Sequence, residues 1–227
     1  MSAIDEQVRA EREAMVDGIE RAAAALAKSV GRGTFAPRVL DALRQVPRHL
    51  FVPPAQFPSA YRDRPLPIGY RQTISQPFIV ALMTDLLDLK GNDRVLEIGT
   101  GCGYQTAVLA RLVQAVFTIE LCEPLAQRAA QTFRALGISN VQARVGDGHA
   151  GWPEAAPFDA ILVTAAPSEI PDALVQQLAP GGRLAIPVGA TSQQLILVQK
   201  RSDQSTVLRD IIPVCFVPLT RQSDPPD

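Results

Sequence analysis

A doubly wound α/β fold with a mostly parallel sheet is what this chain predicts, and three observations carry that. First, the apolar run at 94–98 stops abruptly in Gly99-Thr-Gly-Cys-Gly103, a buried strand turning into a loop that backbone alone can line. Second, further strand-like runs at 116–121, 141–145, 158–164 and 183–188 alternate with helical stretches of roughly 9 to 13 residues, the pattern of a parallel sheet covered on both faces. Third, two runs near the end, 194–199 and 207–217, are separated only by the polar turn Arg201-Ser-Asp-Gln-Ser205. So short a connection makes them antiparallel and places them at one sheet edge.

The elements follow in order. Residues 4–28 carry Ile4, Val8, Met15, Ile19 and Leu26 at spacings that favour an amphipathic helix, ended by Gly31-Arg-Gly33. A second helix is expected over 37–46, opened by Pro37 and burying Val39, Leu40 and Leu43. From 47 to 67 prolines and aromatic residues indicate ordered, irregular structure. Residues 77–89 read as a helix with Phe78, Ile79, Leu82, Met83, Leu86 and Leu87 as its apolar positions. The crossover helices are expected at 104–112, 124–136 and 171–178, the last followed by a Pro180-Gly-Gly182 turn, and the tail from 222 is expected to fray. Residues 1–76 thus form a helical and irregular segment packed on the α/β part, 77–227, as one folded unit.

Composition narrows the function. A chain of 227 residues with 47% hydrophobic content supports a full core, and a net charge of −1 gives no general case for nucleic acid or anionic membranes. Between residues 32 and 71, however, seven arginines face only Asp41 and Asp63, a local excess of 7 − 2 = +5. That is either a solvated face or a region that attracts an anionic substrate. Cys102, Cys122 and Cys215 have no paired spacing, and with only His49 and His149 beside them no metal site is expected. The charged N-terminus lacks an apolar signal core, and no apolar run approaches the roughly 18 residues of a membrane span. The expectation is a cytoplasmic monomer without nucleic-acid or membrane partners.

The chemistry lies at the carboxyl ends of the strands, where ligands of open α/β sheets sit. Gly99, Gly101, Gly103, Glu120, Asp147 and Thr164 converge there. Glu120 can accept hydrogen bonds from ribose hydroxyls and Asp147 from an adenine amino group; the bland alternatives are a solvated strand-end charge and an ordinary Gly-Asp-Gly loop. The Glu-x-Gly-x-Gly-x-Gly spacing resembles that of S-adenosylmethionine (SAM) methyltransferases and departs from the G-x-G-x-x-G of dinucleotide binders. Methyl transfer from a sulfonium needs in-line approach and exclusion of water. A carboxylate acceptor is already ionised at pH 7, so no general base is required. None is evident: His49 and His149 read as structural or exposed.

Six separate segments sharpen this. Val46-Pro-Arg-His-Leu-Phe-Val52, Leu66-Pro-Ile-Gly69 with Gln72-Thr-Ile-Ser-Gln-Pro77, Val95-Leu-Glu-Ile-Gly-Thr-Gly-Cys-Gly-Tyr-Gln105, Phe158-Asp-Ala-Ile-Leu-Val-Thr-Ala-Ala-Pro167, Pro180-Gly-Gly-Arg-Leu184 and Phe216-Val-Pro-Leu219 resemble the protein-L-isoaspartate (D-aspartate) O-methyltransferase family over nearly the whole chain. The resemblance implies a repair enzyme that uses SAM and acts on isoaspartyl-containing proteins and peptides. It places Ser75 at the family's catalytic position, with a helix cap before Pro77 as the alternative role for that residue. It assigns Thr73, Gln76, Glu97, Gly99, Thr100, Gly101, Gly103, Glu120, Leu121, Asp147, Gly148 and Thr164 to the cofactor. Ile74, Ser75, Val217 and Leu219 fall to the substrate, the run 216–220 offering a peptide an extended backbone, or else only an edge strand stopped by proline.

The sequence departs from the family in places. Arg71 stands where glycine is usual, restricting the backbone and adding a charge that either strengthens carboxylate binding or blocks the entrance. Cys215 replaces a common arginine, Cys102 a common serine, and the residues before Thr34 are longer than usual, expected as a lid or an interface. Two other readings stay open: aspartyl methylation of one dedicated peptide, and a module that holds SAM without turnover.

Overall fold

The computed structural model describes residues 3–25, 27 and 33–221. Leu26, Lys28, Gly31 and Arg32, where the first helix was expected to run and end, lie outside the described residues, as does the tail from 222. Helix α1 (Ala3–Ala25) turns Met15, Val16, Ile19 and Ala23 into the core. Helix α2 (Pro37–Gln45) starts on a proline whose fixed φ suits a first turn, and buries Val39, Leu40, Ala42 and Leu43. Arg44 joins the two helices, its guanidinium reaching Glu13 at 3.1 Å and Asp17 at 3.8 Å. The arginine-rich stretch is therefore partly structural: Arg38 likewise donates to the carbonyls of Leu89 and Leu112.

Residues 47–67 hold two short 3-10 turns, Arg48–Phe51 and Pro54–Ser59, consistent with an ordered, proline-pinned segment. The following hairpin was not foreseen. Strand β1 (Leu66–Gly69) pairs antiparallel with β2 (Gln72–Ile74), Leu66 opposite Ile74 and Gly69 opposite Gln72. Its two-residue turn is Tyr70-Arg71, with φ of 52° and 56°. Two left-handed residues in succession make the turn whose hand matches strand twist, a job usually given to Asn-Gly. Arg71 is exposed there and is not among the residues that line the two cavities described below. Relief of its left-handed strain predicts that Arg71→Gly raises stability by about 1 kcal/mol. A urea midpoint that falls or stays fixed would contradict this.

Helix α3 (Pro77–Leu86) is buried nearly all round. The Ser75 side chain does not cap it: Gln76 holds the N-cap position, and Asp63 accepts from the Phe78 N–H at 2.8 Å and from the Gln76 side chain at 2.9 Å. The main sheet follows, with β3 (Arg94–Ile98), β4 (Ala115–Glu120), β5 (Val141–Val145), β6 (Phe158–Val163), β7 (Leu178–Val188), β8 (Gln193–Lys200) and β9 (Thr206–Val214) in the order β5-β4-β3-β6-β7-β8-β9. Strands β5 through β7 are mutually parallel, and β8 and β9 are antiparallel additions at the edge. Strand β7 begins earlier than expected. The Pro180-Gly-Gly182 turn is an irregularity inside it, where pairing to β6 jumps from Phe158–Leu178 to Ala160–Arg183.

Helices α4 (Tyr104–Ala110), α5 (Glu123–Ala135) and α6 (Asp172–Gln176) cover the faces. One apolar cluster joins Val95 and Val116 to the N-terminal helices; the other gathers Leu96, Ile98, Phe117, Phe158 and Leu184 on the opposite face. Burial on both faces explains why the strands read as continuous apolar runs. The chain leaves β3 for β4 on one side and returns to β6 on the other. That makes the carboxyl ends of β3 and β6 the switch point, where an open sheet leaves a crevice.

Candidate cofactor and acceptor site

The crevice is a cavity of about 270 Å³ walled by the loops after β3, β4 and β6 and by the β2 hairpin. Gly99, Thr100, Gly101, Glu120, Leu121, Gly148 and Thr164 line it, as do Thr73, Ile74, Ser75, Val217 and Leu219. Glycine at 99 has a direct cause. A Cβ there would fall 2.3 Å from Thr164 Oγ1, which donates to the Ile98 carbonyl (3.0 Å) and the Gly99 carbonyl (2.6 Å), locking β3 to β6 at the cavity floor.

Glu120 is buried at 8% exposure, and its carboxylate is already oriented. One oxygen accepts from the Gly101 N–H at 2.7 Å, the other from the Cys122 N–H at 2.8 Å. Each oxygen keeps a lone pair for a ligand, and holding the group beforehand lowers the cost of ordering it on binding.

Four expected cofactor residues lie off the cavity wall. Glu97 is fully buried beneath it, one oxygen accepting from Thr106 and from Thr118 (2.6 Å), the other without a partner. Thr118 in turn contacts the Thr100 hydroxyl at 2.6 Å, so Glu97 braces the glycine loop from behind. Burial pushes its carboxyl up to about 8, against the two threonine hydrogen bonds. Gly103 is the N-cap of α4, pressed against α5. Gln76 is turned to Asp63 and faces the neighbouring cavity. Asp147 accepts from the His149 N–H at 2.9 Å and meets His149 Nδ1 at 2.8 Å. Although partial burial raises the Asp147 carboxyl, these contacts outweigh it and hold the group below its ordinary range. Its flanking residues Gly146 and Gly148 both reach the wall.

Other wall residues escaped the sequence reading: Gln72, Val80, Tyr104, Gln105, Cys122, Gly146, Ala165 and Pro218. Tyr104, Gln105 and Cys122 each follow a recognised residue by only one or two positions, a signal that adjacency would have supplied. Burial pushes Tyr104 up to about 12 and Cys102 up to about 11, so neither is an anion at neutral pH. His49 pairs with the Tyr61 hydroxyl at 2.7 Å and, like His149, is not on the wall.

A second cavity of about 480 Å³ shares Thr73, Ser75, Thr164 and Val217 with the first. Pro65, Ile79, Pro213, Val214, Cys215 and Phe216 add to its wall, which holds no charged residue. The extended run beside it is already partly paired. Val217 C=O accepts from the Ala166 N–H, the Leu219 N–H donates to the Ala166 carbonyl, and both backbone groups of Phe216 bond Gln193. A peptide docking here in strand fashion must use the backbone groups those bonds leave over. Among the described residues no group of three or more His, Cys, Asp and Glu can hold a metal, and no helix is long and apolar enough to cross a membrane.

A glycine turn and an oriented carboxylate at the switch point, with a second cavity alongside, fit the α/β methyltransferase class. The family model described as Protein-L-isoaspartate(D-aspartate) O-methyltransferase matches residues 22–224, and the chain belongs to that family. It is 54% identical over 221 residues, 96% of this chain and 85% of the relative, to a protein-L-isoaspartate O-methyltransferase 1 of Cupriavidus necator. A solved protein-L-isoaspartate O-methyltransferase superposes with a TM-score of 0.75 at 29% identity; the match covers 88% of this chain and spans only 65% of that one. A putative enzyme of the same name from Plasmodium falciparum, solved with S-adenosyl-L-homocysteine, shares the fold: TM-score 0.79, 24% identity, 93% of this chain and 99% of that one.

Proposed function

We propose that this chain transfers the methyl group of SAM to the free α-carboxylate of L-isoaspartyl residues, and of D-aspartyl residues, in damaged proteins and peptides. The resulting ester closes to a succinimide, whose hydrolysis returns some normal aspartate. The observation that carries the reading is Ser75 in the wall common to both cavities, one with the Glu120 carboxylate and one without charge.

SAM supplies an electrophilic methyl group, and the chain supplies position. The residues fit it: Gly101 leaves open space on the wall, and Glu120 has lone pairs free for two ribose hydroxyls. Asp147 takes the adenine amino group beside Gly146 and Gly148. Thr73, Ile74 and Ser75 separate cofactor from acceptor, the Ser75 hydroxyl orienting one carboxylate oxygen toward the methyl group. No proton needs to move, since the acceptor is ionised at neutral pH. The uncharged second cavity takes the residues beside the isoaspartyl and keeps water from the reacting atoms. The enzyme acts as a monomer in the cytoplasm, and sedimentation at working concentration checks the first part.

Labelled SAM offered to two peptides differing only in isoaspartyl or aspartyl linkage is the direct test. Base-labile label on the isoaspartyl peptide alone is expected; equal label on both, or none while SAM binds, would overturn the reading. Glu120→Ala should weaken S-adenosylhomocysteine binding by about 1–3 kcal/mol, because a buried ribose loses its charged partner. Calorimetry on the folded variant showing wild-type affinity would remove Glu120 from that role.

A further inference from the structure

Among the described residues Arg48 is a buried cation without a paired anion. Its side chain is 0% exposed, with Nε donating to the Ala60 carbonyl at 2.8 Å and one terminal nitrogen to the Ser75 carbonyl at 2.8 Å. The other terminal nitrogen has no partner, and the guanidinium sits 4.8 Å from the centre of the Tyr104 ring. Asp63, the acid acting on it, spends both carboxylate oxygens on the start of α3. Taking a guanidinium out of water without an ion pair is expensive, and a neutral donor can serve two carbonyls at lower cost.

The charge is placed where a substrate charge must enter. Ser75 and Tyr104 both line the first cavity, and Arg48 lies directly behind them. The acid on that wall, Glu120, repels a second carboxylate, so a fixed cation at the acceptor end has a use that hydrogen bonding alone does not explain. We infer that Arg48 is the positioning residue for the acceptor carboxylate, holding the Ser75 segment by its carbonyl and setting a positive potential behind it. This rests on the acceptor being a carboxylate, as proposed above.

The test compares binding of an isoaspartyl peptide with the same peptide carrying an α-carboxamide, in the presence of S-adenosylhomocysteine. Wild-type enzyme should favour the carboxylate. Arg48→Met should lose at least tenfold in affinity for the carboxylate peptide and leave the carboxamide peptide and S-adenosylhomocysteine unchanged, with KM rising more than kcat falls. Arg48→Lys, which keeps the charge, should keep the preference, and carries the test if the methionine variant does not fold. Equal losses for both peptides, a preference intact in Arg48→Met, or a preference lost in Arg48→Lys would overturn the role of Arg48 alone. A wild-type enzyme with no carboxylate preference would overturn the functional reading itself.

Discussion

Wild-type stability should fall between about pH 4.5 and about pH 8, and Glu97→Gln should flatten that fall. Burial raises the Glu97 carboxyl from 4.5 to about 8, so it stays protonated in the folded chain after ionising in the unfolded one. A folded pKa above the unfolded one means that folding takes up a proton. Stability from this group is therefore full below about pH 4.5 and drains away up to about pH 8. At about 1.36 kcal/mol per pH unit the loss is of the order of 5 kcal/mol. Glutamine keeps an oxygen for Thr106 and Thr118 and cannot ionise. Urea midpoints at pH 5, 7 and 9 should diverge for the two proteins, the variant gaining as pH rises. Parallel curves would show that Glu97 ionises freely in the fold. Because Glu97 reaches Thr100 through Thr118, cofactor affinity of the folded wild type should hold up to about pH 8 and weaken only above it, where Glu97 ionises in the fold and the stability loss is already complete.

The centre of the sheet and its switch point were legible because β3, β4 and β6 are buried nearly throughout, and β3 runs into glycine and β4 ends in an acid, a pattern that packing and ligand approach impose together. What stayed hidden has physical causes. The β1–β2 hairpin was invisible because Tyr70-Arg71 carries none of the chemistry that normally marks a left-handed turn. Arg48 was one of seven arginines read as either a solvated face or a region attracting an anion; arginine is rarely buried, and only coordinates show that its partners are carbonyls. A helix cap was the alternative role for Ser75, the nearest hydroxyl, whereas Asp63 reaches the start of α3 from 15 residues upstream of Phe78. The carboxylates at 97 and 120 look alike as strand-end acids. One has its hydrogen bonds from side chains inside the core, the other from backbone N–H groups at the cavity.

Gly101 and Gly103 show the same limit, and alanine at each should separate two roles that the alternating motif merges. At Gly103, φ is 90° and an added Cβ would meet Phe133 ring carbons at 2.6 and 2.7 Å and the Ala129 Cβ at 3.2 Å. Left-handed strain costs about 1–2 kcal/mol and overpacking a further 1–3. Gly103→Ala should thus lose about 3 kcal/mol of stability, while the folded fraction binds SAM within about threefold of wild type, since residue 103 is not on the cavity wall. At Gly101, φ is 54° and the nearest atom to an added Cβ is Ile68 Cδ1 at 3.5 Å, so the methyl group meets no packed neighbour. Gly101→Ala should cost only about 1 kcal/mol of stability from its backbone conformation. The methyl group would occupy wall space that the proposed cofactor site needs, so SAM affinity should drop at least tenfold. Denaturation and calorimetry on the two variants should show opposite losses. A Gly103→Ala protein that is stable but blind to SAM would return that glycine to the cofactor, and a Gly101→Ala protein that binds normally would move the cofactor away from the loop.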